Sequence, residues 1–141
     1  MSQDVCRYIE LEKIFHHGRA VSDIVCDKGR GKTIELINAN LYRANLSSFR
    51  CDRHKLADED LLETLFDSVY ESFASEKLGL DLCDGVFRHT CFDKANLVGV
   101  NLSCADIRSC RFYGADLTNA ILTGAKVYNS NWYGAVARTI R

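Results

Sequence analysis

The sequence predicts an all-β solenoid wound as a square coil, and three observations carry that prediction. From Gly85 the residues fall into units of five, GVFRH TCFDK ANLVG VNLSC ADIRS CRFYG ADLTN AILTG AKVYN SNWYG AVART, without a break in the frame. An earlier stretch, LINANLYRANLSSFRCDRHKL, carries the same frame more raggedly through Leu36, Leu41, Leu46, Cys51 and Leu56. The chain holds 9 glycines and no proline, which favours short repeated turns over proline-built loops.

The third position of each unit is apolar: Phe87, Phe92, Leu97, Leu102, Ile107, Phe112, Leu117, Leu122, Val127, Trp132 and Ala137. The first position is small, and Asn, Asp, Thr, Ser, Arg and Lys gather at the other three. A period of five matches neither an α-helix at 3.6 nor a strand at 2. It matches a coil in which each unit is a short extended piece followed by a turn. Four such units close one turn of about twenty residues, and successive turns stack at the strand spacing of ~4.8 Å. Central apolar residues then point inward, and small residues fill the corners.

Four segments follow in order. Residues 1–35 are expected to cap the first turn, because an uncovered solenoid end exposes unpaired backbone and apolar centres. In DVCRYIELEKIFHH, the residues Val5, Tyr8, Ile9, Leu11, Glu12 and Phe15 have partly helical spacing, so the cap is read as a helix. Residues 36–56 form a first coil and 82–141 the main one, about four coils together. Between them, 57–81 reads as an inserted acidic α-helix: Leu62, Leu65, Phe66, Val69 and Phe73 share one face, and Glu59, Glu63, Asp67 and Glu71 recur once per turn beside it, with Asp60 adjacent. No helix is expected after Trp132 and Tyr133, so the final rung, with Tyr113 below it, offers an interface.

Charge singles out the interruption. Residues 56–80 hold seven acids and one base, while 81–141 hold five acids and seven bases. The coil is slightly basic, and the acidic segment turns the net charge to −1. Repeated carboxylates one helical turn apart cost a few tenths of a kcal/mol per pair. At ~1.5 Å rise per residue they lie ~6 Å apart and so resemble a phosphate backbone. An acidic solvent face is the plainer alternative.

Little else in the sequence reads as chemistry. CDKGRGKT, Cys26–Thr33, ends like a phosphate-binding loop, but its first glycine is replaced by Cys26 and the repeat follows where a helix should begin. Cys6, His16, His17 and Cys26 are zinc-type ligands without a close cysteine pair. His54 and His89 have no nucleophile, acid or base beside them in the pattern. Seven irregularly spaced cysteines read as buried or bystander thiols rather than a disulfide framework. With no leader and no apolar run of membrane-spanning length, a cytoplasmic, non-enzymatic protein without cofactor or metal is expected.

The units ANLYR, ANLSS, ANLVG, ADIRS and ADLTN resemble the A(D/N)LXX motif of the pentapeptide repeat family over about half of the chain. That resemblance implies a right-handed quadrilateral β-helix. It also implies end-to-end homodimers through the C-terminal end, which many members form. Several members are DNA mimics that bind DNA gyrase, helped by loops projecting from their coils. Those are longer rods with acidic coils, whereas this coil is short and slightly basic. The expectation therefore narrows to a short scaffold that presents Glu59, Asp60, Glu63, Asp67 and Glu71 to a basic site on a nucleic-acid-processing enzyme or a bacterial defence nuclease. The alternative is a general interaction module using the coil face or the open rung. The partner is expected to be a protein, with no direct nucleic-acid binding and no membrane contact.

Overall fold

The coordinates, a computed structural model, describe residues 7–47, 49 and 80–138. The acidic stripe Glu59, Asp60, Glu63, Asp67 and Glu71 lies outside the described residues.

The coil is built on one four-stranded parallel ladder. Strands β4 (Glu35–Ile37), β6 (Val86–Arg88), β7 (Asp106–Arg108) and β8 (Lys126–Tyr128) stack in that order. Val86 pairs with Asp106 and Asp106 with Lys126, so each turn takes twenty residues. Three further bridge columns complete the circuit: Asn40–Cys91–Arg111–Asn131, Asn45–Asn96–Asp116–Val136 and Asp81–Asn101–Ile121. We number the resulting sides one to four, beginning with the ladder. All four follow the frame of five.

Each side uses its unit in the same way. The central residue is buried, from Leu36, Leu41 and Leu46 in the first turn to Phe112 and Leu117 in the third. Two residues later the backbone turns left-handed, at Asn38, Arg43, Asp84, His89, Lys94, Gly99, Cys104, Ser109, Gly114, Asn119, Gly124, Asn129 and Gly134. Asn, Asp and Gly suit that conformation, and the other side chains are held there against a local steric cost. On sides two to four, where an Asn or Asp precedes the centre, it locks the corner through its side-chain oxygen. Oδ1 of Asn96, Asn101, Asp116 and Asn131 accepts the N–H two residues on at 3.0–3.1 Å. This is the physical content of the A(D/N)L pattern.

Inside, Phe92, Phe112 and Trp132 form one aromatic column on side two, with centroids 4.9 and 4.0 Å apart and rings nearly parallel. Phe87 meets Phe92 edge-on at 5.9 Å. Small first positions make room for these rings, and where they are polar they close backbone groups. The buried Thr90 hydroxyl donates to the Leu36 carbonyl at 2.7 Å, and the Cys110 thiol to that of Phe87 at 3.2 Å.

The interruption enters at one corner. Glu35 pairs with Val86, 51 positions away where 20 would suffice, so 31 residues are extra. Side three is already in place at Asn45 and side four resumes at Asp81, so the excess lies between them. The Leu80 N–H reaches the Leu46 carbonyl at 3.4 Å, bringing the two ends of the excursion together. Thirty-one is not a multiple of five. That is why the two stretches of repeat differ in phase.

The cap differs from the helix read over DVCRYIELEKIFHH. Strand β1 (Ile9–Glu10) runs parallel under β5 (Ala44–Asn45) on side three, with the Ile9 N–H on the Arg43 carbonyl at 2.8 Å. A 3-10 turn spans Leu11–Lys13, and β2 (Phe15–His16) pairs antiparallel with β3 (Arg19–Ala20). His17 and Gly18 both have positive φ, 53° and 79°, the geometry of a tight hairpin turn. The exposed edge of the first turn takes a strand because its backbone groups need partners, and that requirement overrides the helical spacing. The described α-helix, α1 (Val21–Cys26), follows directly on β3, with Ala20 as its N-cap. Leu11, Val21 and Val25 close the floor of the core.

Candidate functional site

Repeats turn the outside of the coil into columns of side chains, one rung apart. On side one, Ile37, Arg88, Arg108 and Tyr128 are in register. Asp106 sits between the two arginines, accepting Arg108 Nε at 2.8 Å and Arg88 Nη2 at 3.3 Å. Partial burial pushes the Asp106 carboxyl up, and the two guanidinium hydrogen bonds outweigh it, leaving the group below its ordinary value of 3.8. Two cations share one carboxylate. Arg108 also lies over the Tyr128 ring at 5.4 Å.

Side two carries Tyr42, Asp93, Tyr113 and Tyr133 in one column. Tyr113 and Tyr133 stack at 5.7 Å with rings 11° apart. Asp93 is buried for a local reason: position 111 is Arg where the first and last turns of this side have Asn40 and Asn131, so the Tyr113 N–H takes its acceptor from the rung below, Asp93 Oδ1 at 3.0 Å. Arg111 covers the same carboxylate at 2.7 Å. Arg43 lies over the Tyr42 ring at 5.8 Å and Lys94 over that of Tyr113 at 5.9 Å.

The last described turn is the most exposed part of the coil. Val127 is 38% and Tyr133 74% exposed, and Trp132 is half-buried against Phe112. One turn below, the N–H groups of Ser109, Phe112 and Gly114 donate to Tyr128, Asn131 and Tyr133 at 2.9, 2.7 and 3.2 Å. The equivalent donors of the last turn, on Asn129, Trp132 and Gly134, have no acceptor among the described residues. The expected interface residues Tyr113, Trp132 and Tyr133 are thus brought together at one corner of one end.

The cap holds a shallow groove lined by His16, His17, Arg19, Ile24, Glu35, Ile37 and Asn38. His16 is held below its ordinary value of 6.5, by burial and then by the adjacent His17. The phosphate-loop resemblance resolves into a 3-10 turn, Asp27–Arg30, ended by Gly31 at φ 82°, which feeds Ile34 into the first side. Its Lys28 Nζ donates to the Cys83 carbonyl at 2.9 Å. Cys26 is disulfide-bonded, against the reading of thiols throughout, and its partner lies outside the described residues. Irregular spacing carried no signal for it. Cys83, Cys91, Cys104 and Cys110 are free, and burial raises the Cys91 and Cys110 thiols. Among the described residues no cluster of His, Cys, Asp and Glu is arranged to hold a metal, and no helix is long and apolar enough to cross a membrane.

Counting in twenties along the unbroken frame places Arg88, Arg108 and Tyr128 in one column and Asp93, Tyr113 and Tyr133 in another. It misses Tyr42 and Arg43, because the 31 extra residues hide the first turn from counting in twenties, and Lys94, whose positions one and two turns on are Gly114 and Gly134.

Residues 86–124 match the family model described as Pentapeptide repeats, in 8 copies. Among solved structures the chain is similar to the pentapeptide repeat protein Rfr23 from the cyanobacterium Cyanothece 51142, at 20% identity and TM-score 0.45. That similarity covers 78% of this chain and 60% of the other, so the chain spans less than two thirds of that structure. No curated protein was found to match.

Proposed function

The chain belongs to the pentapeptide repeat family, and from that premise we propose that it is a non-enzymatic protein-binding module that docks its partner on the last rung of the coil. The observation that supports this reading is the last described rung: an aromatic column ending in Trp132, flanked by exposed Val127, Tyr133 and Val136, with N–H donors that have no acceptor among the described residues. A sheet edge with apolar centres gains both hydrogen bonds and burial when another strand or coil covers it. A second copy of the chain, end to end, fits the same surface. The expected outcome is that Trp132→Ala/Tyr133→Ala abolishes the complex, or the dimer seen by sedimentation, while the coil keeps one cooperative melt, lowered by the loss of the Trp132–Phe112 stack.

Charge favours a second reading. The excursion between Asn45 and Asp81 is emitted and returned at one corner, and residues 56–80 carry seven acids and one base. Such a segment suits a basic groove on a nucleic-acid-binding enzyme, gyrase-like or a defence nuclease, which it would inhibit by charge mimicry. Capture of one partner at low salt and at about 0.5 M salt separates the two readings, because that salt cuts the screening length to ~4 Å. Loss of the partner at high salt and in Glu63→Lys/Asp67→Lys supports mimicry. Retention in both, with loss in the Trp132 variant, supports the rung.

A further inference from the structure

The balance of charge along the sequence conceals a division across the coil. Sides one and two carry Arg43, Arg88, Lys94, Arg108, Arg111 and Lys126 against Glu35, Asp93 and Asp106. Sides three and four carry Arg138 against Asp81, Asp84 and Asp116. The exposed tyrosines of the coil, Tyr42, Tyr113, Tyr128 and Tyr133, all stand on the basic half. Of its six cations, Arg43, Lys94 and Lys126 have no ion pair among the described residues.

We infer that sides one and two form a docking face for single-stranded nucleic acid. The argument is the repeated pairing of a flat ring with a cation: Tyr42 with Arg43, Tyr113 with Lys94 and Tyr128 with Arg108, at 5.8, 5.9 and 5.4 Å. A nucleotide offers a base to the ring and a phosphate to the cation, and it does so repeatedly along a strand. An acidic peptide would use the cations and leave the rings idle. Tyr133 extends the Tyr113 stack, and its outer ring face has no partner among the described residues. Four rungs at ~4.8 Å spacing span ~14 Å, room for about four nucleotides stacked at ~3.4 Å. What the described residues of this face repeat is cations and rings, so the recognition is of backbone charge and ring stacking, without sequence preference. It departs from the sequence expectation of no direct nucleic-acid contact.

The test is fluorescence anisotropy of the full chain with a labelled oligothymidylate of about 12 nucleotides, across a salt series. Lys94 stands at φ 58°, so Lys94→Gly removes its charge and relieves the backbone. Lys94→Gly/Lys126→Gln is expected to weaken binding about tenfold and to reduce the log–log salt slope by about 1.4, two phosphate contacts' worth. Tyr128→Ala is expected to weaken it several-fold at every salt, and Arg138→Gln on side three to leave it unchanged. Absence of binding at low salt, equal loss in Arg138→Gln, or displacement by polyglutamate as effective as by unlabelled oligothymidylate would each overturn the inference, the last in favour of an acidic protein.

Discussion

Thr90 shows how one side chain answers for a corner. It is 1% exposed, and its hydroxyl donates to the Leu36 carbonyl at 2.7 Å and accepts the Ala39 N–H at 3.4 Å, tying the first turn to the second. Thr90→Val keeps the shape and removes both bonds, leaving the Ala39 N–H without an acceptor among the described residues and the Leu36 carbonyl with one donor fewer. Its expected cost is about 1–2 kcal/mol, read as a lower midpoint in denaturant at unchanged slope. That Thr, Cys and Ser recur at positions 90, 110 and 130 was visible in the sequence as the small first position of each unit. That their polar atoms face backbone carbonyls was not, because the pattern records size and the hydrogen bond depends on which corner the unit turns. The buried charge of Asp93 was equally hidden: it serves Tyr113 on the next turn, twenty residues away, and no single unit shows the need.

Within one side, the size of the first residue is set by the third. An ideal Cβ built on Gly85 would lie 2.6 Å from Phe87 Cζ and 2.7 Å from Cε2. Phe87 is fully buried and packed edge-on against Phe92, so its ring has nowhere to retreat. Gly85→Ala is therefore expected to destabilise by about 1–3 kcal/mol through overpacking. Gly85→Ala/Phe87→Leu should recover part of that loss, a non-additive outcome that a double-mutant cycle detects. Additive costs would show that the two residues do not share the space. The repeating sides were legible because the units share an apolar centre and a left-handed corner, and several add an Asn or Asp lock. The cap was not, since it is used once. Its residues satisfy the edge of β5, and the spacing of Ile9, Leu11 and Phe15 cannot distinguish a helix from strand, turn and hairpin in succession. Phe15, expected on the apolar face, is 67% exposed.

Taken as a whole, the molecule is a coil that tolerates a 31-residue excursion without losing register, since Asp81 resumes beneath Asn101 as Asn45 lies beneath Asn96. The loop-closure cost of so long an excursion rises only with the logarithm of its length, and the Leu80–Leu46 hydrogen bond holds its ends at the corner. If the excursion is carried by the coil rather than supporting it, removal of residues 48–78 restores the five-residue spacing from Asn45 to Asp81. The same deletion sets Gly79 two positions after Leu46, where the other units turn left-handed. The loss would be the partly buried Phe49, which packs on the core, at about 1–2 kcal/mol. The shortened chain is therefore expected to keep a single cooperative melt, lowered by about 5–10 °C, and to keep oligothymidylate binding, since no residue of the basic face is touched. Collapse of the melt would show instead that the interruption is part of the core. An intact melt with loss of a captured partner would assign protein recognition to the acidic segment, and an intact melt with the partner retained would assign it to the last rung.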